Sequence, residues 1–399
     1  MPESSRLAAG NAILLISFPH QLLHAISALR YDRMLRATAD DTPATILFWS
    51  YQAADHLSGA KVRQICRRAL QDFPWIELLF PSFLHRMYCL SPYRLLTDRS
   101  SWIRKKFGVG NCYSCYYSHD VSADHTAQAL MQAFPEARRI CYGDPPGFLY
   151  PTRNTFLRNR VGRWNTLKEL VWESRLRGIK NWFSPQESII AVDFRSFDRE
   201  GQPQTAYVLP NAVLLDTLER LRMDFPEITP KASSFFSALT DNECSPYLLL
   251  LSNFTASGMT SRQNELELYI DICQSYVPLG ETICIKPHIG TPQKLLFLLL
   301  ARLSDYRAFV FPVAAQQLPI ELLPELIARS HVLSVSSSSA LIAHLFKSDV
   351  THVLTEDRIR HFFKPAYVAY MLKANKAIVE KASTARLGVV RGKTHCSMA

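Results

Sequence analysis

The sequence has no apolar run long enough to cross a membrane. Its longest, Ala12 to Phe18, Tyr247 to Leu251 and Leu295 to Ala301, fall far below the roughly 20 residues that a spanning helix needs. Its start lacks a basic region followed by a sufficient apolar stretch and a small-residue cleavage site, so no secretory leader is expected. No recognisable nucleic-acid motif occurs, and nucleic acid is not an expected partner. A second cysteine pair is missing too: Cys112 and Cys115 form one CxxC without a partner pair at zinc-ribbon spacing, and a lone pair does not argue for a metal centre. The nine cysteines, scattered through apolar surroundings, read as reduced core residues rather than a disulfide framework. These absences point to a cytoplasmic protein, at most peripheral to the inner face of the membrane.

What is present is a globular composition, with 48% hydrophobic and 20% charged residues, which argues against disorder. A length of 399 residues suits two domains of similar size, each able to bury its own core. The formal charge of +10 is unevenly spread. Arg153, Arg158, Arg160, Arg163, Lys168, Arg175, Arg177 and Lys180 are opposed only by Glu169 and Glu173. Leu157, Val161, Trp164, Leu167 and Val171 recur there at helical spacing, so residues 153–180 read as a basic amphipathic helical insertion. It suits the solvated face of a docked helix, or a surface for anionic membrane or polyanionic glycan.

Along the chain, apolar runs alternate with helical patterns. Ala12 to Phe18, Thr45 to Trp49, Trp75 to Phe80, Cys115 to Ser118, Arg139 to Tyr142 and Ile189 to Phe194 read as strands, with helical spacing after the first and again from Val213 to Leu221. Pro226 to Pro246, with three prolines and several serines, is the candidate linker. The pattern then repeats: strand Tyr247 to Ser252, helix Gln263 to Gln274, strand Thr282 to Lys286, helix Gln293 to Leu303 and strand Ala308 to Phe311. A helical stretch from Leu318 to Ile327 is bent or split by Pro324. A strand from His331 to Val335 follows, then a helix beginning within Ser336 to Ser339. Such alternation favours parallel sheets with helices on both faces. We expect an N-terminal Rossmann-like domain over 1–235, a C-terminal one over 245–350, and a helical segment over 351–399 that can cross back onto the first domain.

Three places carry chemistry. The run Ser336, Ser337, Ser338, Ser339 follows a strand and opens a helix, where unpaired N–H groups, the positive dipole end and serine hydroxyls suit a phosphate; simple helix capping is the plainer reading. Lys286 and His288 leave the end of another strand in the same domain, so both can address that phosphate, His288 as a general acid. Asp144 lies between Gly143 and Pro145 in a tight loop after a strand, suiting a general base or a turn aspartate that satisfies its own loop.

Read together, these motifs resemble the bacterial two-domain sialyltransferases, in particular the α-2,8-polysialyltransferase family. The resemblance is carried by ILLISFPHQLLHAISAL, SADHTAQALMQAFPEARRICYGDPPG, LLLLSNFTASGMTSRQNELELY, ICIKPHIG, LPIELL and SVSSSSAL, spread over most of residues 11 to 346. It implies a GT-B glycosyltransferase-like fold, two Rossmann-like domains facing a cleft. It also implies inverting transfer of sialic acid, or a related nonulosonic acid, from a CMP-sugar donor to a hydroxyl of a glycan acceptor. No metal and no cofactor besides the donor are implied. Asp144 matches the family's base, His288 its acid, and Ser337 with Ser338 its phosphate-binding pair. Ser252 and Asn253 become candidates for the nucleotide, Glu321 for its ribose or base, and His20 and Asp120 for the acceptor or sugar. The sequence departs from the pattern at Pro145, where glycine is expected, and at Ile289, where proline is expected.

Two other functions fit parts of this evidence. Poly(glycerol phosphate) polymerases also release CMP and pair a histidine motif with a serine motif. They usually carry an acidic residue shortly before the serines, and His331 to Val335 offers none. A noncatalytic glycan- or nucleotide-binding relic of the fold is consistent with Pro145 and Ile289, because function belongs to the site and not to the scaffold.

Overall fold

The computed structural model describes residues 12–16, 21–48, 66–80, 115–118, 134, 136–142, 187–192, 205–223, 245–255, 258–288, 291–316, 320–336, 338–346, 348 and 350–393. The chain forms two compact units that divide after Asp224. Each is built on one parallel sheet.

The first unit holds seven strands: β1 (Ala12–Ile16), β2 (Ala44–Phe48), β3 (Ile76–Leu79), β4 (Cys115–Ser118), β5 (Arg138–Cys141), β6 (Glu187–Ile190) and β7 (Thr205–Val208). Their order in the sheet is β3-β2-β1-β4-β5-β6-β7, with every pairing parallel. β1 and β2 are buried throughout, as a central strand covered on both faces must be. Helices α1 (Gln21–Leu35) and α2 (Asn211–Met223) belong to the same unit and pack on each other.

A buried polar network ties the amino ends of these strands to α1. Asp32 accepts a 2.8 Å hydrogen bond from the Tyr117 hydroxyl, and is also bonded by Arg138 and Arg36. Both arginines reach Glu187. Cys115, one half of the CxxC, takes a hydrogen bond from Arg138 at 3.3 Å.

In the second unit β8 (Tyr247–Leu250), β9 (Thr282–Lys286), β10 (Arg307–Val310), β11 (His331–Ser334) and β12 (Val350–His352) lie in the order β10-β9-β8-β11-β12, again all parallel. β12 has only three residues and no apolar run, which is why the sequence does not announce it. The helices are α3 (Arg262–Tyr276), α4 (Gln293–Arg302), α5 (Val313–Gln316), α6 (Pro324–Arg329), α7 (Ser338–Phe346), α8 (Glu356–Phe362) and α9 (Pro365–Lys393), with a 3₁₀ turn at Ile320–Leu322. Pro324 splits the 318–327 stretch as its missing N–H and fixed φ require. The C-terminal segment is two helices, separated where Pro365 starts α9, and α9 packs on α7 and α8 of its own unit.

Alternation along β8 builds two cores. Leu249 and Leu251 point into a layer with Leu268, Ile272, Leu299, Ile359 and Tyr367. Leu248 and Leu250 join Cys284, Phe311, Leu326 and Ile342 on the other face. Successive strand side chains alternate faces, so an unbroken YLLLL run is what a strand covered on both sides needs. Cleanly capped helices complete the layers: Ser261 accepts from the Asn264 N–H at the start of α3, and Thr355 from that of Arg358 at the start of α8. The expected two Rossmann-like α/β domains are therefore present. Among the described residues no helix is long and apolar enough to cross a membrane.

Candidate functional site

In the second unit the chain winds outward from β8 through β9 to β10, then returns to add β11 and β12 on the other side. The winding reverses between β8 and β11. In open parallel sheets a ligand crevice forms outside the carboxyl ends of the strands at such a reversal. The expected donor-side residues lie here: Ser252 and Asn253 after β8, Lys286 and His288 at the end of β9, and Ser336 with Ser338 after β11.

Main-chain bonds carry the sheet register into these loops. Leu251 N–H donates to Lys286 O, Phe311 N–H to Ile285 O and Val353 N–H to Ser334 O, each at 3.0 Å. The loop after β8 is then pinned from α3. Glu265, wholly buried, accepts from the main-chain N–H groups of Phe254 and Thr255 at 2.9 Å. Tyr269 accepts from Ser252 N–H at 2.9 Å and donates to Ser252 O at 3.0 Å. Ser252 and Asn253 are half-buried on this anchored loop. Burial pushes the Glu265 carboxyl above its ordinary value, against the opposing effect of its hydrogen bonds.

Lys286 is 7% exposed. Its Nζ donates to the carbonyl oxygens of Gln316 at 2.7 Å and Pro287 at 3.1 Å, and lies 5.8 Å from the centre of the Phe311 ring. Burial lowers its pKa to about 8, partly offset by the charge of Glu321. Glu321, in the 3₁₀ turn, is itself buried. Desolvation raises its carboxyl, opposed by its own main-chain N–H and by Lys286. The lysine and the glutamate are thus a through-space pair, and the ammonium is held by carbonyls of its own unit.

His288 is exposed, and its carbonyl closes a turn by accepting from Thr291 N–H at 2.9 Å. Its imidazole is lowered to about 4, first by the desolvation of its crowded surroundings and second by the neighbouring Lys286 cation. Solvent reaching the ring moderates the first cause. The direction follows from either cause, so the ring is neutral at neutral pH and presents one N–H donor and one acceptor.

Behind the serine turn stands a group that sequence reading missed. Ser339, fully buried, donates from Oγ to Ser336 O at 2.8 Å, and the same oxygen lies 2.8 Å from His352 Nδ1. The other ring nitrogen, Nε2, is 2.5 Å from the side-chain amide of Asn375. His352 sits on the unannounced strand β12 and Asn375 on α9, so no local motif joins them to the serine run.

Ser337, Asp144, His20, Asp120 and the basic stretch 153–180 lie outside the described residues, and the side chain of Ser338 is likewise not described. A cavity of about 440 Å³ lies on the flank of α3 and α8, lined by Glu267, Asp271, Gln274, His361 and neighbours. Its two carboxylates suit it poorly to an anion.

Neither a family model nor a curated protein matches the sequence. Among solved structures the chain is similar to the UDP-GlcNAc 2-epimerase of Methanocaldococcus jannaschii, with 14% identity and a TM-score of 0.46, over 94% of this chain and 99% of that one. It is similar to a sialyltransferase of Photobacterium damsela, with 10% identity and a TM-score of 0.44, over 94% and 80% of the two chains. It is also similar to the 2,6-sialyltransferase of Photobacterium sp. JT-ISH-224, a structure that holds CMP and lactose, with 9% identity and a TM-score of 0.48, over 94% and 78%.

Proposed function

We propose that this chain is a glycosyltransferase that moves sialic acid, or a related nonulosonic acid, from a CMP-sugar to a glycan hydroxyl with inversion. The observation that carries the reading is the pairing of two anion-suited elements on the strands that flank β8. The Lys286–His288 turn ends β9, and the serine turn opens α7 after β11. A helix start with serine donors on one side and an imidazole N–H on the other is the chemistry a departing phosphate needs.

In this reading the acceptor oxygen attacks the anomeric carbon while Asp144 takes the hydroxyl proton. The bond from that carbon to the phosphate oxygen breaks, its electrons go to the phosphate, and His288 with the serine turn stabilises the new charge. The neutral imidazole donates its N–H without transferring a proton. Full proton transfer requires the arriving phosphate to raise the histidine pKa, as an adjacent anion does. Ser252, Asn253 and Glu321 then face the nucleotide, and Lys286 acts by holding the Gln316 segment and by its charge. His20 and Asp120 serve the acceptor side, and the basic stretch 153–180 meets a polyanionic product or an anionic membrane surface.

One observation favours a second reading, a nucleotide-binding protein without turnover: the departures from the family pattern at Pro145 and Ile289. Calorimetric titration with CMP, UDP and CMP-sialic acid, on the wild type and on His288→Ala, tests the donor. Selective CMP binding that weakens about tenfold in the variant supports the reading; a preference for UDP, or binding of neither, overturns it. Release of CMP from CMP-sialic acid separates the enzyme from the binding protein.

A further inference from the structure

The serine turn is braced from its buried side. Ser339 Oγ lies 2.8 Å from both Ser336 O and His352 Nδ1, so its one hydroxyl hydrogen is shared between two acceptors. A neutral His352 with its proton on Nε2 leaves the Nδ1 lone pair facing that hydroxyl. Nε2–H donates to Asn375 Oδ1 across 2.5 Å. Desolvation, which lowers the His352 pKa, favours this neutral form. The result is a continuous relay linking the Ser336 carbonyl, Ser339, His352 and Asn375.

That carbonyl also accepts the Ser339 N–H at 3.1 Å. These donors, with the Ser334 hydroxyl at 3.5 Å, fix the plane of the peptide that begins there, and so the shape of the turn that opens α7. Ser339 is fully buried and Asn375 is 8% exposed, so neither is placed to touch a ligand. Ser339 is not a nucleophile in this arrangement, because it is fully buried with its hydroxyl between the Ser336 carbonyl and the His352 ring and not facing open space.

We propose that His352 and Asn375 are positioning residues that hold the serine turn in its anion-binding shape, making the phosphate affinity of the site depend on how α9 is docked. This rests on the reading of that turn as a phosphate site. A polar relay buried under a turn is stabilising only when every member is satisfied. Removing one member frees the Ser336 peptide while the apolar packing of α7 on α9 remains.

The test uses the full chain with His352→Phe, Asn375→Leu and Ser339→Ala, and two readouts. Hydrogen exchange of backbone amides in 336–341 is expected to accelerate at least tenfold in each variant, with β9 unchanged. CMP affinity is expected to fall about tenfold while cytidine, which lacks the phosphate, binds as before. Unchanged exchange in 336–341 overturns the proposal, and so does an equal loss for CMP and cytidine, which marks a general structural role. Should His352→Phe fail to fold, the smaller Ser339→Ala change carries the comparison. A wild-type chain that ignores CMP overturns the function reading instead, and the exchange comparison still decides whether the relay holds the turn.

Discussion

Lys286 donates from Nζ to the main-chain carbonyl of Gln316 across 2.7 Å, joining the end of β9 to α5 through a buried cation. The lysine is therefore a brace for the loop region beside the proposed site as well as a source of positive potential. Its environment gives the bond a pH signature.

Burial lowers the Lys286 pKa from 10.5 to about 8, so between these values the folded chain binds fewer protons than the unfolded one. Stability then rises with pH across that window, by at most about 3 kcal/mol for a shift of this size. Lys286→Met is expected to flatten the rise in urea denaturation between pH 8 and 10, because it removes the cost of the buried ammonium that is fully present below pH 8. An equal slope in both proteins would place the ammonium in solvent.

The His288 imidazole is lowered below 6.5 by its surroundings and by the Lys286 cation, so the folded state again carries fewer protons, now in the window just below that value. Protonating the ring disfavours the folded state, so stability falls as pH drops through this window, and His288→Ala should shallow the acid limb of the denaturation curve. CMP binding near pH 6 should also take up more protons in the wild type than in His288→Ala, measured as heat in buffers of different ionisation enthalpy. Equal uptake would mean that phosphate does not recruit the imidazole.

Asp144→Asn is expected to abolish measurable CMP release from CMP-sialic acid with an acceptor present, a loss of at least 10²-fold for removal of a general base, while CMP affinity and melting temperature stay at wild-type values. Retained turnover would free Asp144 from the proposed role.

Asp32 takes hydrogen bonds from Tyr117 and Arg138 within the first unit. Removing one partner of a buried ion pair costs up to about 3–5 kcal/mol; Arg138 and Arg36 keep Glu187, so Asp32→Asn should lower the urea midpoint by less than that. Tyr117→Phe, which loses a bond without stranding a charge on the arginine, should cost less. Neither should alter CMP affinity per folded molecule, because the network sits at the amino ends of its strands. Weakened CMP binding at full folding would overturn that assignment.

Much of the fold was legible because buried parallel strands advertise themselves. Ala12–Ile16, Cys115–Ser118 and Thr282–Lys286 emerge as strands from short apolar or β-branched runs bounded by breakers, and the split at Pro324 follows from a missing N–H. Boundaries moved by one or two residues where the last residue of a run leaves the ladder, as at Tyr247–Leu250. β12 was not legible: with three residues it is a strand only because β11 lies alongside to pair with it.

The sequence by itself determined the local chemistry of the site: a serine-rich helix start, a histidine after a strand, and apolar runs that must be covered on both faces. Backbone geometry and hydrophobic periodicity are short-range properties, so they are written locally. Only the tertiary structure decided that the two anion-suited turns flank one strand, that Lys286 is buried against Gln316 and Glu321, and that His352 and Asn375 stand behind Ser339. Those relationships depend on strand order and helix docking, which bring together residues 13 to more than 60 positions apart and leave no periodic trace along the chain.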